Sequence, residues 1–154
     1  MQTPESITQA TSISEADRLL SVEGVVVHAS DSLQQVAEQA VRNSGCRLIA
    51  VVDDLERLVG VLPVRTLVDD IFVKIVPKQF LGKIDDYSGV MDYAERLGAR
   101  TAGDMMLDAI SVQRDQTVRE AFELLHGHEF AGVPIVDEER HVVGYIDQLE
   151  LLLV

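Results

Sequence analysis

The chain states one pattern twice. Residues 25–68 and 110–152 follow a common template about 84 positions apart. In the first copy, Val25-Val26-Val27 precedes Ser30-Asp31-Ser32 and the helical spacing Leu33, Val36, Ala37, Ala40, Val41. The apolar run Leu48–Val52, the turn Asp53-Asp54-Leu55-Glu56-Arg57 and the run Leu58–Leu62 follow. In the second copy, Ile110-Ser111-Val112 leads to Val118, Ala121, Phe122 and Leu125, then Val133–Val136, Asp137-Glu138-Glu139-Arg140-His141 and Val142–Ile146. A repeat unit buries its apolar face only against a neighbour, so the duplication constrains the architecture before any side chain is read.

Local signals fix the elements within each copy. Val25–Val27 reads as a β-branched strand. Ser32-Leu33-Gln34-Gln35 and Thr117-Val118-Arg119-Glu120 match the capping box, each followed by apolar residues at helical spacing, and they mark two helix starts. Those helices are expected to end near Asn43-Ser44-Gly45 and His126-Gly127-His128, with Gly45 and Gly127 suited to a left-handed closing residue. The continuous runs Leu48–Val52 and Val133–Val136 predict strands covered on both faces. Short helices are expected over Val64–Ile71 and Asp147–Leu153, and another over Ser14–Leu20 with Ser14 as its cap. Each copy thus reads β-α-β-β-α. The expected fold is α/β (α+β): two such repeats in a pseudo-twofold arrangement, with a helical insertion between them. The expected division is a flexible arm at 1–13, repeat 1 at 14–72, the insertion at 73–100 and repeat 2 at 101–154.

Composition narrows the class. Hydrophobic residues make up 47% and aromatics 5% of the 154 residues, enough for an aliphatic core. No apolar run is long enough to span a bilayer, and Met1-Gln2-Thr3-Pro4-Glu5 has no secretion-signal character. A single cysteine, Cys46, excludes an internal disulfide and suits a reducing, cytoplasmic setting. A net charge of −13 argues against a nucleic-acid surface, which needs clustered Lys and Arg.

Isolated candidates carry little chemistry. Arg47 beside Cys46 could lower the thiol pKa, but a lone Cys entering a strand is more often a small buried hydrophobe. His126-Gly127-His128-Glu129 reads as a polar helix end sooner than a metal site, because a zinc site needs about four converging ligands. The acidic pairs Asp53-Asp54, Asp69-Asp70 and Asp85-Asp86 lack the spacing of a calcium loop. No nucleophile–base set is legible, so no enzyme is expected. Residues 69–100 hold Phe72, Phe80, Tyr87 and Tyr93, four of the seven Phe and Tyr residues. Ile84, Tyr87, Val90, Met91, Ala94 and Leu97 recur at helical spacing, as either a cap on the core or a face for dimer packing.

Three stretches together carry a family resemblance: Gly132-Val133-Pro134-Ile135-Val136-Asp137; Leu58-Val59-Gly60-Val61-Leu62 with Val143-Gly144-Tyr145-Ile146; and Thr101-Ala102-Gly103-Asp104-Met105-Met106. With them the chain resembles a tandem pair of cystathionine-β-synthase (CBS) domains, a Bateman module. The resemblance implies a regulatory module rather than a catalyst, a homodimer without membrane insertion, and a separate effector protein as partner. It implies an adenosine-type ligand, such as adenosine, S-adenosylmethionine or AMP, in clefts between the repeats. The residues it places at those clefts are Val27, Leu48, Pro63 and Thr66, and Ser111, Val133, Pro134, Tyr145, Asp147 and Glu150.

Both copies depart from the family's nucleotide motif, in which a Thr or Ser lies near phosphate and an Asp three residues on holds the ribose. In the first copy Pro63 and Thr66 stand there, which weakens that site. In the second copy they are Asp147 and Glu150. Glu150 keeps a carboxylate for a ribose, while Asp147 would repel a phosphate beside it, so adenosine or a cationic relative is expected there before AMP. The plainer alternative makes Asp147 a helix cap and Glu150 a solvated helix residue. The other classes in view are a ligand-free interaction module and, behind it, a divalent-cation sensor.

Overall fold

The computed structural model describes residues 10–19, 22–43, 45–69 and 100–151. In chain order these form α1 (Ile13–Leu19), β1 (Val26–His28), α2 (Leu33–Arg42), β2 (Leu48–Val52), β3 (Leu58–Pro63), α3 (Val64–Asp69), α4 (Ala102–Met105), β4 (Leu107–Asp108), β5 (Val112–Gln113), α5 (Val118–His128), β6 (Gly132–Val136), β7 (Val142–Asp147) and α6 (Gln148–Leu151). The expected helix over 84–97 and the aromatic face of the insertion lie outside the described residues, as does most of the arm.

The duplication is visible in the pairing. β1 runs parallel to β2 with Val27 opposite Val51, and β5 runs parallel to β6 with Val112 opposite Ile135. β2 and β6 each turn back into an antiparallel partner, β3 and β7, and the register slips at matched places, Val51/Val52 and Ile135/Val136. Every residue of β2 and β6 is buried, as their unbroken apolar runs require. One core joins both copies: Ile49, Val51 and Leu62 from the first, Leu125, Ile135 and Ile146 from the second.

Both predicted capping boxes form. Ser32 Oγ accepts the Gln35 N–H and Gln35 returns to the Ser32 N–H, and Thr117 pairs likewise with Glu120. A third box, Thr101 with Asp104, opens α4 where the sequence suggests only a lead-in segment. Asp104 is held below the usual carboxylate range because it accepts the Thr101 N–H.

Four local expectations are corrected. α1 is capped by Ser12, whose Oγ accepts the Glu15 N–H, so Ser14 lies inside the helix. Gly127 also lies inside its helix, and neither it nor Gly45 has positive φ. Glu129 closes α5 instead at φ 57°, giving its N–H to the end carbonyls, while the Phe130 N–H reaches Leu125 O at 3.1 Å. The half-buried Phe130 ring packs on the core and holds that geometry. Asp147 ends β7 rather than sitting in α6. An unexpected strand, β4, extends the first sheet, with Gly60 opposite Asp108.

The lead-in of each repeat docks on the other one. Ile13 N–H donates to Gln116 O at 2.7 Å and Val118 N–H to Thr11 O at 2.9 Å, tying α1 to the second repeat. Leu33 N–H donates to Arg100 O and Ala102 N–H to Asp31 O, tying α4 to the first.

Candidate functional site

Residue pairs 84 apart now define two quasi-equivalent clefts. Their backbones match: Val64 N–H donates to Arg47 O at 3.0 Å, and Gln148 N–H donates to Ala131 O at 2.7 Å. Arg47 corresponds to Ala131, Pro63 to Asp147, Val61 to Tyr145 and Leu48 to Gly132. The side chains at those positions decide what each cleft holds.

The cleft at the second motif is filled by the protein itself. Arg47 reaches across from the first repeat and grips Asp147 with both arms of its fork, Nε to Oδ2 at 3.2 Å and Nη2 to Oδ1 at 2.9 Å. Asp147 is 2% exposed, and a buried carboxylate needs such a partner. Tyr145 Oη donates to Asp147 Oδ2 at 3.0 Å and accepts the Arg47 N–H at 3.2 Å. Burial pushes that phenol above its ordinary range, so it stays a donor. Gly132 makes room for the ring, since a Cβ there would fall on the Tyr145 phenol.

The expected bare negative charge at Asp147 is therefore corrected: the guanidinium neutralises it. Asp147 does cap α6, because its Oδ1 accepts the Leu149 N–H at 2.9 Å. Glu150, read as either a ribose ligand or a solvated residue, accepts the Val22 N–H at 2.7 Å.

The cleft at the first motif is open. Pro63, Val64, Arg65 and Thr66 form one wall of a cavity of about 550 Å³, with Leu107 beside them. Glu129, Phe130 and Ala131 of the second repeat also line it, as does Arg47. Its volume falls in the usual range for small-molecule sites, roughly 300–1,000 Å³. The lining joins an apolar surface, including an aromatic ring, to two guanidinium groups, a hydroxyl and one carboxylate. Such a wall can hold a flat, largely apolar ring and meet an anionic tail.

Among the residues singled out in the sequence, Pro63 and Thr66 line this cavity. Val27, Leu48, Val133, Pro134 and Tyr145 are buried, and Ser111 is half-buried near β5. Sequence reasoning misses Arg47 as a cleft residue, together with Arg65, Leu107, Glu129, Phe130 and Ala131. A comparison of positions 47 with 131 and 63 with 147 is the signal that could find it: charge stands opposite charge in one cleft only.

Cys46 is a core residue: its thiol accepts the Val25 N–H at 3.3 Å and donates to Leu48 O at 3.2 Å. Burial pushes the thiol up, against the lowering considered for Arg47 beside it. Among the described residues, the grouping that could hold a cation is not at His126–Glu129 but in the second hairpin turn, where Asp137, Glu139 and His141 bring ligand atoms within 4.8 Å of one another. Also among the described residues, no helix is long and apolar enough to cross a membrane.

Comparison with known proteins agrees with this architecture. The CBS domain model matches residues 21–72 and 102–154. The chain belongs to the CBS domain family, as a tandem pair of its domains. Inosine-5'-monophosphate dehydrogenase of Halobacterium salinarum is 24% identical over 153 residues, 99% of this chain. The chain spans only 26% of that relative's length. A CBS domain-containing protein of Thermotoga maritima is 25% identical, covers 95% of this chain and 94% of its own, and superposes with a TM-score of 0.69. A CBS domain pair in complex with 5'-methylthioadenosine and S-adenosyl-L-methionine gives 0.66 at 18% identity, over 94% of both chains. CBSX2 in complex with AMP gives 0.63 at 19% identity, over 93% of this chain and 94% of its own.

Proposed function

We propose that this chain is a regulatory sensing module that takes an adenosine-type small molecule into the cavity between its repeats. The observation that carries the reading is the cavity itself, lined by Pro63–Thr66 of one repeat and Glu129–Ala131 of the other. A ligand touching both repeats has different contacts in each relative orientation, which is what population shift requires. Solved structures of the same fold with AMP, or with 5'-methylthioadenosine and S-adenosyl-L-methionine, support the ligand class. The reading places the protein in the cytoplasm as a homodimer that signals to a separate effector. Exposed Val41 on α2 and Phe122 on α5 are apolar surface that a second copy would cover.

A thermal-shift screen with adenosine, AMP, ADP, ATP, S-adenosylmethionine and magnesium tests it. A ligand at a hundredfold excess over its Kd adds about 2.7 kcal/mol of apparent stability. The expected outcome is a shift with at least one adenosine compound that disappears in Ala131→Trp, a lining residue whose enlargement fills the cavity. No shift with any compound rejects the sensing reading. It would favour a ligand-free interaction module, the reading to which the self-filled second cleft lends support.

A further inference from the structure

We propose that Arg47 is shared between the cavity and the inter-repeat ion pair, so that an anionic group on the ligand draws the guanidinium away from Asp147. The inference rests on the cavity being the ligand site.

Three observations converge on it. Arg47 lines the cavity and at the same time grips Asp147, a hundred positions away in the other repeat. Its side chain is 36% exposed whereas that of Asp147 is 3% exposed, so the arginine is open to an incoming group and the carboxylate is not. The carboxylate also has other donors: Tyr145 Oη on Oδ2 and the Leu149 N–H on Oδ1. It keeps both when the guanidinium turns, which lowers the cost of releasing it.

The lining favours an anion over a neutral or cationic ligand. Arg65 adds a second guanidinium and Thr66 a hydroxyl, against one carboxylate, Glu129. A planar guanidinium takes a phosphate in the same two-pronged way that it takes Asp147. A neutral nucleoside gives it no reason to move. Two ligands that differ by one phosphate would thus leave the repeats in different states, one with the Arg47–Asp147 bridge closed and one with it open.

Calorimetric titration of the full chain with adenosine and with AMP tests this in three proteins: wild type, D147N and R47Q/D147N. The carboxamide introduced by D147N keeps an oxygen for the Leu149 cap or for Tyr145, and the double variant avoids stranding a buried carboxylate. AMP is expected to bind more tightly than adenosine in the wild type. The AMP-to-adenosine affinity ratio is expected to rise about tenfold in D147N, where no charge competes for Arg47, and to fall towards one in the double variant. The Arg47 Nε–H resonance is expected to move with AMP and stay with adenosine. A ratio that is unchanged or lower in D147N overturns the shared-arginine mechanism while leaving the sensing reading in place. Absence of binding by both ligands overturns the two together.

Discussion

The two clefts have one backbone and opposite contents. At the second motif, Tyr145, Asp147 and Arg47 interlock, and Gly132 yields the space for the phenol. At the first, Pro63 and Ala131 stand where the ion pair would be, and a cavity of about 550 Å³ remains. A duplicated fold supplies two equivalent clefts, and a few side-chain exchanges commit one to holding the repeats together and leave the other open. Open space therefore lies with the copy whose motif looks poorer by residue type, because bulk and pairing decide it before hydrogen-bond inventory does.

The largest test of that contrast removes the cation. Arg47→Ala strands the buried Asp147 carboxylate and should cost about 3 kcal/mol in urea unfolding, whereas Pro63→Ala at the position matching Asp147 should cost under about 1 kcal/mol. Equal costs would mean that the two clefts do not differ in the way described. Overpacking comes next. Gly132→Ala drives a Cβ into the Tyr145 ring and should cost about 2 kcal/mol. Adding Tyr145→Val, the residue type of the first copy, should recover part of that loss, and a double variant no better than the single one would refute the steric account.

A smaller effect of opposite sign is expected at Glu129, which takes left-handed backbone on the cavity wall. Glu129→Gly should raise stability by about 1 kcal/mol, because glycine adopts that conformation without a Cβ penalty. The smallest lies away from both clefts. The hydrogen bond to Glu56 holds the proton of His28 above the usual histidine range, with Asp31 and Asp54 adding to it. With a raised folded-state value, the contribution is present below the unfolded pKa and fades as pH rises through the folded one. An NMR titration should show His28 titrating above the ordinary histidine value, and Glu56→Gln should bring it back towards that value.

What can be read from the sequence is what neighbours in the chain decide. The boxes at Ser32 and Thr117, the double-buried runs at Leu48 and Val133, and the hairpin returns all rest on contacts within a few residues, and periodicity exposes them. Ser14 and Gly127 mislead for the same reason: cap and closure are fixed by tertiary packing, of α1 on the second repeat and of Phe130 on the core. The site is less legible. Along the chain Arg47 has only Cys46 as a chemical neighbour, although its partner is a hundred positions away. Asp147 reads as an unpartnered charge, and no local rule shows that a cation from the other copy will meet it.

The crossed lead-ins have a consequence for the whole chain. With α1 seated on the second repeat and α4 on the first, each half carries a piece that completes the other. A cut anywhere in residues 70–99 would sever the covalent link and leave two fragments still clasped by exchanged parts. Each repeat taken alone would lose the piece that completes it.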